Sequence, residues 1–181
     1  MRYLDVRRHS KRERPNQHLS QWGVSIARRV GEGLGAFDRI VTSPLPRCTE
    51  TAVAMGFAVN EIAEQLAGDD GLGETFPCMS EIDWGAGYAG FAHRVATLTP
   101  LAEFVKQQAE LWREVVETLP DGGRALIVGH GGAFLDGTAV YCLPQADHRA
   151  WGPVSGYCEG VRFGFEGGRF TTAEILRVEQ R

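Results

Sequence analysis

The chain has 181 residues, 43% of them hydrophobic and 23% charged, with a formal net charge of −4. That balance excludes a mainly disordered chain, and the acidic total argues against a generic nucleic-acid binder, which carries a basic excess over its whole domain. No run approaches the roughly 18 apolar residues that span a bilayer, and Arg2 is not followed by the apolar core of a secretory signal, so one cytoplasmic domain over residues 1–181 is expected, with no membrane partner.

The alternation in RYLDV (2–6) predicts a short strand. Around its end stand Arg2, Arg7, Arg8, Lys11, Arg12 and Arg14, six of the nineteen lysines and arginines, with His9 in their midst. Such a cluster is either a basic arm for nucleic acid or an anion site in which His9 does chemistry. Residues 10–18 are polar, contain Pro15 and Asn16, and read as a loop. LSQWGVSIARRVGEGLG (19–35) reads as a helix capped by Ser20, with Val24, Ala27, Val30 and Leu34 on its apolar face and Gly35 as its stop.

DRIVTSP (38–44) reads as a strand ending at a Ser43-Pro44 turn, and 45–55 as a helix with Ala52 and Met55 inward. The glycine-rich stretch 66–90 reads mostly as loop. PLAEFVKQQAELWREVVETLP (100–120) carries Leu101, Phe104, Val105, Leu111, Val115 and Leu119 at helical spacing. RALIVG (124–129) is apolar throughout and reads as a buried strand. GAFLDGTAVYCL (132–143) reads as a helix. Two strand-like pieces, 156–165 and 169–178, join at Gly167-Gly168.

Strands alternating with helices predict an α/β domain with a largely parallel sheet, whose ligands bind beyond the carboxyl ends of the strands. Three stretches fall at such ends: Arg8-His9, TSPLPR (42–47) and GHGG (129–132). Two arginines and two histidines, distant in sequence, therefore converge on one edge, which a basic arm does not explain. Arg forks bind phosphoryl oxygens bidentately, and a neutral histidine among cations is a nucleophile at neutral pH. Arg8 and Arg47 fit the first role, His9 the second, and His130 can donate to the same phosphate. The four cysteines, Cys48, Cys78, Cys142 and Cys158, are widely spaced and read as reduced thiols without a metal grouping. A cysteine-based phosphatase loop is excluded, because the sixth residue after Cys142 is His148 and Arg149 comes one place too late.

These blocks together resemble the histidine phosphatase superfamily, which includes the cofactor-dependent phosphoglycerate mutases. Arg8-His9-Ser10 is similar to its opening motif, LSQWG (19–23) to the block before its first helix, SPLPRCTETA (43–52) to its second phosphate block, and GHGG (129–132) to its late histidine block. The resemblance implies a three-layer α/β/α sandwich with a mostly parallel central sheet. It implies a phosphohistidine on His9, a pocket of Arg8, Arg47 and His130, and neither metal nor cofactor. It also implies a carboxylic acid that protonates the leaving group: MSEIDWG (79–85) points to Glu81, with Glu74 and Asp83 as rivals. Ser10 departs from the family's glycine or alanine, and Cys48 from its alanine.

The expected function is hydrolysis of phosphomonoesters, either small phosphorylated metabolites or phosphoproteins, with no nucleic-acid partner. Mutase-type transfer and a non-catalytic phosphate-binding module are the alternatives; family mutases tend to be longer, which favours hydrolysis. Lys11, Arg12 and Arg14 are either a solvated loop or a recruiting patch for further negative charge. His18, His93 and His148 read as surface residues.

Overall fold

The computed structural model describes residues 1–67 and 80–179. The first strand, β1, runs Arg2–Arg8, two residues beyond the alternating stretch, and is followed by α1 (Gln21–Gly31), β2 (Arg39–Thr42) and α2 (Pro46–Ala54). A two-residue strand, β3 (Glu61–Ile62), comes next, then α3 (Tyr88–Thr97), α4 (Thr99–Glu117) and β4 (Arg124–Gly129). A π-helical turn (Ala133–Gly137) leads into α5 (Thr138–Cys142), and β5 (Gly160–Glu166) and β6 (Arg169–Leu176) complete the sheet.

The sheet order is β3-β2-β4-β1-β5-β6. Strands β1 to β4 are parallel to one another, while β5 runs antiparallel to both β1 and β6. The largely parallel sheet expected above is present, with one reversed strand. Because β4 is buried on both faces, its side chains divide between two cores. Ala125 and Ile127 join Trp112, Val115, Phe91 and Tyr88 beneath α3 and α4. Leu126 and Val128 pack with Cys48 and Ala52 of α2 on the opposite face. Helix, sheet, helix: the three-layer sandwich follows.

Helix α1 starts where Ser20 caps it, accepting from the Gly23 N–H at 3.1 Å. It ends at Gly31, earlier than the expected Gly35, where its backbone crosses α2: a Cβ on Gly31 would stand 2.0 Å from the Met55 carbonyl oxygen. The stretch read mostly as loop, 66–90, runs into α3, whose first three residues, Tyr88–Gly90, it includes. Its glycines imitate breakers but serve close approach, since a Cβ on Gly90 would lie 2.2 Å from the Asp83 carbonyl oxygen. The helix expected over 132–143 is a π turn plus one short helix, with Asp136 buried where the two meet. Among the described residues no helix is long and apolar enough to cross a membrane.

Candidate active site

Strands β2, β4 and β1 are neighbours and end level with one another. Arg8 pairs with Gly129 and Thr42 with Val128, so Ser43, His130 and His9 emerge side by side. The His9 N–H donates to the Gly129 carbonyl at 2.8 Å, and the Ser43 N–H to the Val128 carbonyl at 3.1 Å. Parallel pairing thus supplies the convergence that the sequence predicts.

His9 is buried, and its ring centroid lies 5.5 Å from that of His130. Its Nδ1 donates to the Ser10 carbonyl at 2.6 Å. Burial pushes its pKa down to about 3; the Ser10 bond opposes this, while His130, Arg47 and Arg8 add to it. The imidazole is therefore neutral with Nε2 unprotonated. Ser10 explains its own departure from glycine or alanine: its hydroxyl donates to the Gly23 carbonyl at 2.7 Å, and its N–H to Thr51 Oγ1 at 2.9 Å. A Cβ on Gly23 would stand 2.1 Å from the Lys11 carbonyl oxygen, so only glycine lets α1 come this near the loop after His9.

Arg47, at the start of α2, is buried, with Nη2 3.4 Å from His130 Nδ1 and Nη1 bonded to Gln17. A guanidinium only donates, so His130 Nδ1 accepts and its Nε2 donates to Ser43 Oγ at 2.9 Å. Arg8 donates from Nη1 to the Ser155 carbonyl at 2.9 Å and lies 5.0 Å from the centre of the Tyr157 ring. Its Nε is buried and has no partner among the described residues, as suits an anion-binding fork. A Cβ on Gly131 would come within 3.0 Å of Arg8 Cδ, so this glycine leaves the arginine its room. Cys48 lies below, with Sγ 3.8 Å from His130 Nε2, and burial pushes its thiol up to about 12 against the opposing pull of Arg47. It stays a thiol.

Arg8, His9, Arg47 and His130 all line one cavity of about 920 Å³. Glu81 does not line it. That carboxylate is half exposed and pairs with Arg94 at 3.1 Å, while Asp83 accepts from the Gly85 and Ala86 N–H groups as a turn cap. Glu74 lies outside the described residues. Two residues of the site were not anticipated. Asp136 is fully buried, accepting from the Gly132 N–H at 2.7 Å and the Ser155 N–H at 2.9 Å. It ties the turn after His130 to the loop that holds Arg8, and a lone acid inside the apolar run GAFLDGTAVY was its one visible signal. Tyr157, against Arg8 and 6.4 Å from His9, had none. Among the described residues no three His, Cys, Asp or Glu side chains gather as a metal-ligand set.

The model of the histidine phosphatase superfamily, branch 1, matches residues 6–176. The chain belongs to that superfamily. This histidine phosphatase superfamily member shares its fold with phosphatases of known structure. One is phosphoserine phosphatase from Entamoeba histolytica, solved with 3-phosphoglyceric acid, with a TM-score of 0.72 at 19% identity over 99% of both chains. Another is mycobacterial glucosyl-3-phosphoglycerate phosphatase, with a TM-score of 0.67 at 22% identity over 99% of this chain and 100% of that one. No curated protein sequence matches.

Proposed function

We propose that this superfamily member hydrolyses phosphomonoesters through a phosphohistidine on His9. The observation that carries the reading is the His9–Ser10 contact of 2.6 Å, which commits the ring proton to Nδ1 and leaves Nε2 as the attacking atom. In the first displacement an Nε2–P bond forms as the ester P–O bond breaks, and the leaving alkoxide takes a proton. In the second, water attacks phosphorus and passes a proton to the carboxylate left by the first step, the N–P bond breaks, and inorganic phosphate leaves as His9 regains its neutral form. Arg8 and Arg47 donate to the phosphoryl oxygens and compensate the charge that develops on them, and His130 joins them when its ring proton sits on Nδ1 and its Nε2 accepts from the Ser43 hydroxyl instead. Glu81 and Glu74 are the two carboxyls proposed for the proton. Substrates are small phosphorylated metabolites or phosphoproteins.

Intact-protein mass after rapid mixing with p-nitrophenyl phosphate tests this. Wild type should show a transient added phosphoryl group and release nitrophenol, and His9→Ala should show neither. Release of nitrophenol by both proteins would remove His9 as nucleophile. A non-catalytic phosphate-binding module would show no turnover, and a mutase would pass the phosphoryl group to an added alcohol faster than to water.

A further inference from the structure

The cavity continues outward from His9 between a cationic loop and a set of aromatic rings. Its lining includes Lys11, Arg12 and Arg14 of the loop together with the rings of Trp22, Trp84 and Tyr157. The loop is built, not loose. Arg12 and Leu19 form a bridge pair, the Glu13 N–H donates to the His18 carbonyl at 3.0 Å, and the Ser20 N–H donates to the Lys11 carbonyl at 3.0 Å. Helix α2 anchors it from outside, where Glu50 accepts from the Leu19 N–H at 2.7 Å and meets His18, and Arg47 meets Gln17. The loop cations are therefore held over the site.

The aromatic wall is continuous with the phosphate pocket. The Lys11 ammonium lies 4.7 Å from the Trp22 ring centre, Trp22 meets Tyr157 edge to face at 6.3 Å, and Tyr157 carries Arg8 at 5.0 Å. Among the described residues five large hydrophobic side chains are exposed, and the two tryptophans, Trp22 (38%) and Trp84 (46%), both line this cavity. A phosphoryl group alone is served by Arg8, Arg47 and His130, and needs neither the rings nor the loop cations. A volume of about 920 Å³ holds a whole metabolite.

We infer that the outer cavity recognises the body of the substrate, a small phosphomonoester combining a flat aromatic ring with a second anionic group, the chemistry of a nucleoside bisphosphate. This rests on the hydrolase reading above. The ring stacks on the half-exposed Trp84 or on the side of Trp22 that Lys11 does not cover, as bases do on aromatic platforms. The second anion takes charge-assisted hydrogen bonds from the loop, which Glu13 offsets in part.

The test compares kcat/KM for ribose 5-phosphate, adenosine 5′-monophosphate and adenosine 3′,5′-bisphosphate, with p-nitrophenyl phosphate as reference. Efficiency should rise roughly tenfold with the ring and roughly tenfold again with the second phosphate, the last step shrinking at high salt. Trp22→Ala should abolish the first step and Lys11→Gln with Arg14→Gln the second. Trp84→Ala, on a separate element, repeats the ring test should Trp22→Ala fail to fold. Equal efficiency for all three esters, with p-nitrophenyl phosphate turned over, overturns the inference and leaves the hydrolase standing. No turnover of any ester overturns the hydrolase reading and this inference with it.

Discussion

The Nδ1 atom of His9 lies 2.6 Å from the carbonyl oxygen of Ser10, the next residue in the chain. A carbonyl can only accept, so the backbone itself selects the ring tautomer. Arg8, the residue before His9, reaches the Ser155 carbonyl and the Tyr157 ring in the same cavity. In the proposed reaction three consecutive residues would supply cation, nucleophile and orienting acceptor, and each can be tested.

Burial of neutral His9 makes stability depend on pH. Its pKa falls from 6.5 to about 3 on folding, so between those values the unfolded chain binds a proton that the folded chain refuses. Stability is then lost as pH falls through that window, by about 1.4 kcal/mol per pH unit from this group. His9→Asn removes this contribution. Urea unfolding of both proteins at pH 7.5, 5.5 and 4.5 should show the variant gaining on wild type as pH falls; parallel curves would refute the assignment.

Arg47→Ala should lower kcat for p-nitrophenyl phosphate by roughly a hundredfold or more, the scale of removing one donor to a developing oxyanion. The Arg47 guanidinium bonds Gln17 and lies beside His130, so the loop end and the pocket change while the core beneath α2 stays. Arg47→Lys should recover little, because an ammonium lacks the planar fork. Activity within threefold of wild type in Arg47→Ala, with an unchanged melting curve, would take Arg47 out of the pocket.

The proton donor is identified by leaving-group dependence. Glu81→Gln should slow alkyl phosphates far more than p-nitrophenyl phosphate, whose phenolate departs without help. The ion pair with Arg94 at 3.1 Å must open for this role, so Arg94→Ala should leave the same selectivity intact. If Glu74→Gln shows the effect and Glu81→Gln does not, the assignment passes to Glu74.

Asp136→Asn places an amide where two backbone N–H groups now find carboxylate oxygens, those of Gly132 and Ser155. One buried donor loses its acceptor, which costs about 1–3 kcal/mol of stability. Because the Ser155 carbonyl holds Arg8, KM should rise more than kcat falls. A melting temperature and KM both equal to wild type would show that the carboxylate positions nothing.

Much of the site was legible because its chemistry lies in local blocks. Strand ends, a helix cap at Ser20 and the order of four motifs are written in contiguous residues, and parallel pairing through β4 then brings Arg8, His9, Arg47 and His130 together. Helix α3 was hidden because Gly87 and Gly90 look like breakers until the Gly152 and Asp83 backbones they accommodate are in place.

By itself, then, the sequence determined the residue types, the strand-loop-helix punctuation and the arginine-histidine pairing at three strand ends, since these depend on neighbours along the chain. Only the tertiary structure decided what depends on neighbours across it. It tied buried Asp136 to Ser155, set Arg8 over Tyr157 and Glu81 against Arg94, and fastened the end of the loop after His9 to α2 through Leu19 and Glu50. Those contacts join residues from about 13 to about 150 positions apart, and no pattern of local spacing encodes which distant surfaces will meet.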